Sequence, residues 1–224
     1  MNYEIMYHPS YSLAIVKLEA GEFLSAGAGT MVSMSDNIVM ETKGQKGVLG
    51  MLKRSVLGEE YFFINTFRAE GGSGEITFAP PFPGDILCYE LYNETIYVQS
   101  GSYIGSSPDI AIDTRWNGSK SFFCRESQFL LKISGNGPLF IASYGAMYEK
   151  NLARGEKYLI DTGHLVAFTN GVTYAIKRVG GLKPTILGGG EGVVCEFTGP
   201  GRVFIQTRSE DAFLAWLLSK LPKK

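Results

Sequence analysis

"CEFTGPGRVFIQT" (195–207) joins two apolar stretches through a glycine turn, and two earlier segments have the same form: "FFINTFRAEGGSGEITF" (62–78) and "LLKISGNGPLFIAS" (130–143). The turn glycines Gly71, Gly135 and Gly199 lie 64 residues apart in both steps, and Gly74, Gly137 and Gly201 lie 63 and 64 apart. Each turn leads into an apolar strand: "EITFAP" (75–80), "PLFIAS" (138–143) and "RVFIQT" (202–207). A fixed period of this kind is the signature of a repeat architecture.

A second anchor gives the same period. "KLEAGEFLSAGAGTMVSMSDNIVMET" from 17 matches "NLARGEKYLIDTGHLVAFTNGVTYAI" from 151 at Leu18/Leu152, Gly21/Gly155, Glu22/Glu156, Gly29/Gly163, Val32/Val166 and Ile38/Val172. The middle copy, "ELYNETIYVQSGSYIGSSPDIAIDT" from 90, places Leu91, Gly101, Ile104 and Ile110 at matching positions, with Asn93-Glu94 in place of the turn pair Gly-Glu. "YEIMYHP" (3–9) occupies the place of "EITFAP" and "PLFIAS". This phase predicts modules at 1–73 (with an insertion at 44–60), 74–136 and 137–200, and a closing strand and helix at 201–224.

Each module reads as short strands with turns every 6 to 12 residues. "IVMET", "IAIDT" and "VTYAIKRV" alternate with period two, and "EYFFINTF" is apolar on both faces, as a strand between packed layers would be. The fold class is therefore all-β, a sandwich or jelly-roll-like barrel. Two segments break the pattern. "VLGMLKRSVL", within the insertion, fits a short amphipathic helix. "SEDAFLAWLLSKLPKK" fits a better one, with Ser209 as N-cap, Glu210 and Asp211 in the first turn and Pro222 as the stop. Its wide apolar face, Phe213 to Leu221, is expected to dock on the body of the protein.

Composition narrows the function classes. Of 224 residues 45 % are hydrophobic and 19 % charged, which fits a globular chain. The net charge of −1 argues against a domain that grips nucleic acid mainly through phosphates. "MNYEIMYHPSYS" has neither the basic nor the apolar region of a signal peptide, and no run approaches 18 apolar residues, so the expected location is the cytoplasm. Cys88, Cys124 and Cys195 have no C-x-x-C spacing and are expected as reduced, buried thiols rather than disulfides or zinc ligands.

"LGGGEGVVCEFTGPGRVFIQTRS" (187–209), "DTGHLVAF" (161–168) and "SVLGEEYFFINTF" (55–67) resemble the altered-inheritance-of-mitochondria protein 24 family, and the resemblance covers nearly the whole chain. It implies a fold like the tryptophan RNA-binding attenuation protein (TRAP): three tandem modules of β-sandwich or double-stranded β-helix type with a short C-terminal helix. It also implies a homotrimer whose nine modules form a ring. The family brings no established reaction and no catalytic residues.

The residues themselves offer few chemical candidates. His164 matches Thr30 and Ser102, so its position asks for a polar group near a turn, and Asp161 is a candidate partner for it. These two are the functional candidates. His8 precedes Pro9 away from any carboxylate pattern, and two histidines do not make a metal site. "GGSG" (71–74) and "GGGEG" (188–192) lack the phosphate-loop lysine and are followed by strands, so they read as turns. Glu22 and Glu156 recur after a turn glycine, which points to carboxylates that accept backbone N–H bonds. Lys53, Arg54, Lys177, Arg178 and Lys183 form no basic-aromatic stripe repeated in every module.

The expectation is a non-enzymatic, self-assembling β-ring acting as a scaffold or interaction platform. It has no cofactor, and its partner is itself, with room for an unidentified protein. A small-ligand- or RNA-binding ring, by analogy with TRAP, is the alternative. An enzyme ranks lowest, because no set of nucleophile, base or metal ligands is visible.

Overall fold

The computed structural model describes residues 1–43, 62–114, 129–178 and 193–221. The strands are β1 (Asn2–Met6), β2 (Leu13–Leu18), β3 (Phe23–Gly27), β4 (Met31–Met34), β5 (Ile38–Lys43), β6 (Ile64–Ala69), β7 (Gly74–Phe78), β8 (Ile86–Gln99), β9 (Tyr103–Ser106), β10 (Ile110–Asp113) and β11 (Leu130–Ala142). They continue with β12 (Met147–Leu152), β13 (Lys157–Asp161), β14 (Leu165–Thr169), β15 (Thr173–Arg178), β16 (Val193–Thr198) and β17 (Gly201–Gln206). One α-helix, α1 (Glu210–Lys220), follows. Among the described residues the chain is all-β, in several sheets, with one short helix. The helix expected in the insertion and the loop at 188–192 lie outside the described residues.

Four antiparallel ladders are each built three times. β2 pairs with β7 as β12 pairs with β17, and β3 pairs with β6 as β13 pairs with β16. β4 pairs with β7 as β14 pairs with β17, and β5 pairs with β6 as β15 pairs with β16. In the middle of the chain the long strands β8 and β11 supply two positions each, pairing with one another along their length and with β9 and β10 at the sides. The reason is local. Gly21 and Gly155, at φ 85° and 76°, break the strand before Glu22 and Glu156, whereas at Asn93, φ 54°, the strand runs through. Asparagine is among the few side chains that tolerate this left-handed region.

Two further ladders join the sets: β3 to β9, and β8 to β14. Counting each set in order from β2, β8 and β12, these are second-strand to third-strand joins. The closing strand read from sequence within 201–224 is β17, the sixth strand of the last set, between β12 and β14. The strand outside the pattern is β1, which adds to the free side of β2. Sequence similarity located the period, but which strand is additional depends on hydrogen-bond partners.

The third strand of every set carries a bulge. Val32 has no partner between Met31 and Ser33, Ile104 none between Tyr103 and Gly105, and Val166 none between Leu165 and Ala167. A bulge re-aims the side chain of its extra residue. Ile104 packs in the cluster formed mainly by Val16, Leu24, Phe67 and Phe78 of the first set. Val166 packs with Leu91, Val98, Ile133 and Leu139 of the second. The third cluster contains Leu152, Ile160, Phe168 and Phe197.

Gly71, Gly135, Gly137 and Gly201 have positive φ. Gly74 and Gly199 do not, and are held by crowding against Ile38 and against Ala153 and Leu152. Gly135 combines both constraints, with φ 140° and the position of a Cβ only 2.1 Å from the Asp109 carbonyl oxygen. Gly135→Ala is expected to lower stability by at least about 1–3 kcal/mol, read as a lower urea midpoint at unchanged m-value. Gly21→Ala, where φ is 85° and no atom lies within 4 Å, is expected to cost less.

Candidate functional site

Both joined edges bury their third strand: every residue of β9 is buried, as are Leu165 to Phe168 of β14. The corresponding strand of the first set, β4, is exposed at all four residues. Its bulge residue Val32 is 58 % exposed, whereas Ile104 and Val166 are fully buried. The complementary free edge is β13, hydrogen-bonded only to β16 among the described residues, with Leu159 55 % exposed. Among the described residues, one chain therefore carries an unused third-strand edge and an unused second-strand edge.

The residues singled out from sequence sit at the turns beside these edges. Thr30 Oγ1 donates to the Gly27 carbonyl at 2.8 Å, Ser102 Oγ to Gln99 Oε1 at 3.1 Å, and His164 Nδ1 lies 2.8 Å from the Gln206 carbonyl oxygen. The position does ask for a polar group, and in each copy that group fastens a turn. Asp161 is not the partner of His164: its Oδ1 accepts from the Gly163 N–H at 2.8 Å and caps the turn Thr162–His164. Gln206 secures the same corner, donating to the Gly163 carbonyl and accepting from the Tyr144 N–H, each at 2.9 Å.

Glu22 and Glu156 accept backbone N–H bonds from Glu19 and Ala153, both at 2.8 Å. Glu22 is held below the usual carboxylate range by the Met1 ammonium first and then by the Glu19 amide. Glu156 is held there by the Ala153 amide first and then by Lys150. Lys177 and Lys157 converge on Glu196 at 2.5 and 3.1 Å. Among the basic residues considered for nucleic acid, Lys177 is thus tied to a carboxylate. Lys53, Arg54 and Lys183, and the side chain of Arg178, lie outside the described residues.

One cluster was invisible in the sequence. Asp85 Oδ1 accepts from Ser12 Oγ at 2.8 Å and from the Ile86 N–H at 2.9 Å, and lies 2.5 Å from His8 Nδ1. The 73 and 77 residues between these partners hid it. The order is that of a brace, because the carboxylate stands between serine and histidine. Nucleophile activation needs the imidazole between them. Cys195 is buried and Cys88 half-buried, and burial pushes both thiols up to about 12. Cys124 lies outside the described residues. No group of three or more His, Cys, Asp or Glu side chains that could hold a metal ion occurs among the described residues. Likewise, among them no helix is long and apolar enough to cross a membrane.

Helix α1 departs from the expected docking. None of its residues is buried, and Trp216 is 58 % exposed. Ser209 stands at the N-cap without a side-chain capping bond, and Pro222 lies outside the described residues. The helix and the turn at His164 frame a groove of about 310 Å³ lined by Tyr144, Arg208, Phe213 and Trp216.

The described residues are thus all-β, with the same ladders recurring three times and a terminal helix that buries none of its residues. The chain belongs to the family described as mitochondrial biogenesis AIM24, whose profile matches residues 3–208. It is 27 % identical over 230 residues to an uncharacterized protein of Streptococcus pyogenes serotype M6, covering 99 % of this chain and 92 % of that protein. It is also similar to a Streptococcus pyogenes protein of known crystal structure, with 26 % identity and a TM-score of 0.81 over 98 % of this chain and 99 % of the other.

The Glu196 pair sets a pH dependence. Lys177 first and then Lys157 hold its carboxyl below the ordinary value of 4.5. A depressed folded pKa contributes stability that is present above the unfolded value and lost as pH falls through the folded one. Glu196→Gln is therefore expected to lower the melting temperature above about pH 4.5, with the gap to wild type closing as the pH is taken lower. Melting curves of both proteins across pH 7 to 2, at about the same ionic strength, check this.

Proposed function

We propose that this protein is a non-enzymatic β-ring, assembled from copies of itself in the cytoplasm, that serves as a scaffold or interaction platform. The observation that carries the reading is the exposure of Val32 at a position where Ile104 and Val166 are buried in a neighbouring core. A third core is available in the same chain, and among the described residues no strand joins its open side. The next copy's β4 supplies that strand, so that each strand set, read as one module, receives a bulge residue from the module after it.

The register follows from the two joins already made. Ala26 faces Gly105 and Ser25 faces Ser106 at the first, and Val98 faces Ala167 and Tyr97 faces Phe168 at the second. Carried to the third join, the same register puts Ile160 of one copy opposite Ser33 of the next, and Leu159 opposite Met34. Val32 then enters the cluster of Leu152, Ile160 and Phe168. A head-to-tail contact of this kind makes a ring when its rotation closes. The family resemblance favours closure at three chains and nine TRAP-like modules.

A small ligand in the groove beside His164 is the second reading, favoured by the aromatic lining of Tyr144, Phe213 and Trp216. Native mass spectrometry addresses both. The wild-type protein is expected at three times 24.5 kDa, and any retained ligand would add to that mass. Val32→Asp is expected to give 24.5 kDa monomers with the fold preserved, since the side chain is exposed in the single chain. Loss of a central interface anchor weakens such a contact by about 2 kcal/mol or more, some thirtyfold. Val39→Asp, exposed on β5, is expected to leave the trimer intact. A monomeric wild type, or a trimeric Val32→Asp, would sink the ring.

A further inference from the structure

The segments that connect the strand sets lie side by side in a hydrogen-bonded row. The Ser12 N–H donates to Gly84 O at 3.0 Å, Asp85 N–H to Gly145 O at 3.1 Å, and Gly145 N–H to Pro83 O at 2.9 Å. Thr207 N–H and Arg208 N–H then donate to Ala146 O and Tyr144 O, both at 3.1 Å. An aromatic ladder follows this row. Phe82 meets Tyr144 at 5.1 Å between ring centroids, Tyr144 meets Phe213 at 6.4 Å, and Phe213 stacks on Trp216 at 6.1 Å.

Inside the chain each connector has two halves, one leaving a sixth strand and one leading into the next first strand. Residues 79–85 and 143–146 contain both. Residues 207–209 contain only the leaving half, and 7–12 only the leading half. The two ends of the row are also its most exposed apolar parts. At one end Tyr11 is 73 % exposed, and Tyr7 is exposed with φ 62°, in a region a bulky side chain enters only under constraint. At the other end stands α1, with no buried residue.

We propose that residues 7–12 of one copy pack against α1 of the adjacent copy, so that Tyr7 and Tyr11 extend the ladder Phe82–Tyr144–Phe213–Trp216 across the subunit boundary. This rests on the head-to-tail ring proposed above, because that ring is what brings a leaving half and a leading half together. It gives α1 a specific occupant. The apolar face that the single chain leaves in water covers the connector of the next copy, and each copy is then held at two places, the β13–β4 edge and the helix.

The test is photo-crosslinking in the full chain. Phe213→p-benzoylphenylalanine, and separately Trp216→p-benzoylphenylalanine, are assembled from equal parts of heavy- and light-isotope protein, irradiated and digested with trypsin. The native mass of each variant is recorded before irradiation. The expected result is a trimer in which the photoreactive residue joins tryptic peptide 1–17 of a copy with the other isotope label. A trimer whose adducts stay within one copy, or that gives none at either position, would overturn the helix contact and leave the ring standing. So would a trimer whose adduct forms on phospholipid when phosphatidylcholine–phosphatidylglycerol vesicles are added. A native mass of 24.5 kDa for the wild-type chain would overturn both.

Discussion

The structure depends on one side-chain position, the bulge residue of the third strand in each set. In a regular antiparallel strand, side chains alternate between the two faces of their own sheet. The bulge turns them into the hydrophobic cluster of the preceding set, where both are fully buried. The same step brings β9 beside β3 and β14 beside β8, so the ladder between sets and the shared core form together. A set of about 65 residues buries too small a share of its surface to be robust alone. Sharing a residue across each boundary is how this chain compensates, and it makes neighbouring sets interdependent in the manner of repeat proteins.

What could be read from the sequence is what short-range chemistry writes there. The period was legible because turn glycines and the carboxylates after them are local devices: Glu22 and Glu156 sit three residues from the amides they bind. The exception at Asn93-Glu94 was legible for the same reason, although its outcome, an unbroken β8, needed the backbone. What could not be read is partner choice. "YEIMYHP" and "RVFIQT" both alternate like a sixth strand, yet only the second is one, and β1 pairs with β2 instead. His8 and Asp85 meet although nothing in their flanking residues signals it.

The candidate site shows the same division. The polar character of the position shared by Thr30, Ser102 and His164 was evident from alignment, and each copy satisfies it with a different acceptor. Pairing His164 with Asp161 was the natural reading of a three-residue spacing. A 3₁₀ turn between them diverts the carboxylate to the Gly163 amide and leaves the imidazole to β17. The helix misled in a more instructive way. A wide apolar face predicts burial, but sequence does not say against which molecule, and here Tyr144 meets Phe213 while no residue of the helix is buried.

The free edge is best understood against the usual treatment of edges. Proteins guard an exposed strand with lysine, proline or an inward charge, because unpaired N–H and C=O groups invite pairing. β4, "MVSM", has none of these, and its one irregularity is the bulge that the other two sets use for joining. Fully burying a valine or isoleucine side chain is worth about 1.5–3 kcal/mol. The first two clusters each gain such a residue from the following set, and among the described residues the third gains none. On the ring proposed above, the third set is the part of the structure whose stability responds most to protein concentration, since a partner that binds only the folded state stabilises it by mass action. An edge that is unguarded, already bulged and matched to an incomplete core is better accounted for as half of a joint than as a surface left open.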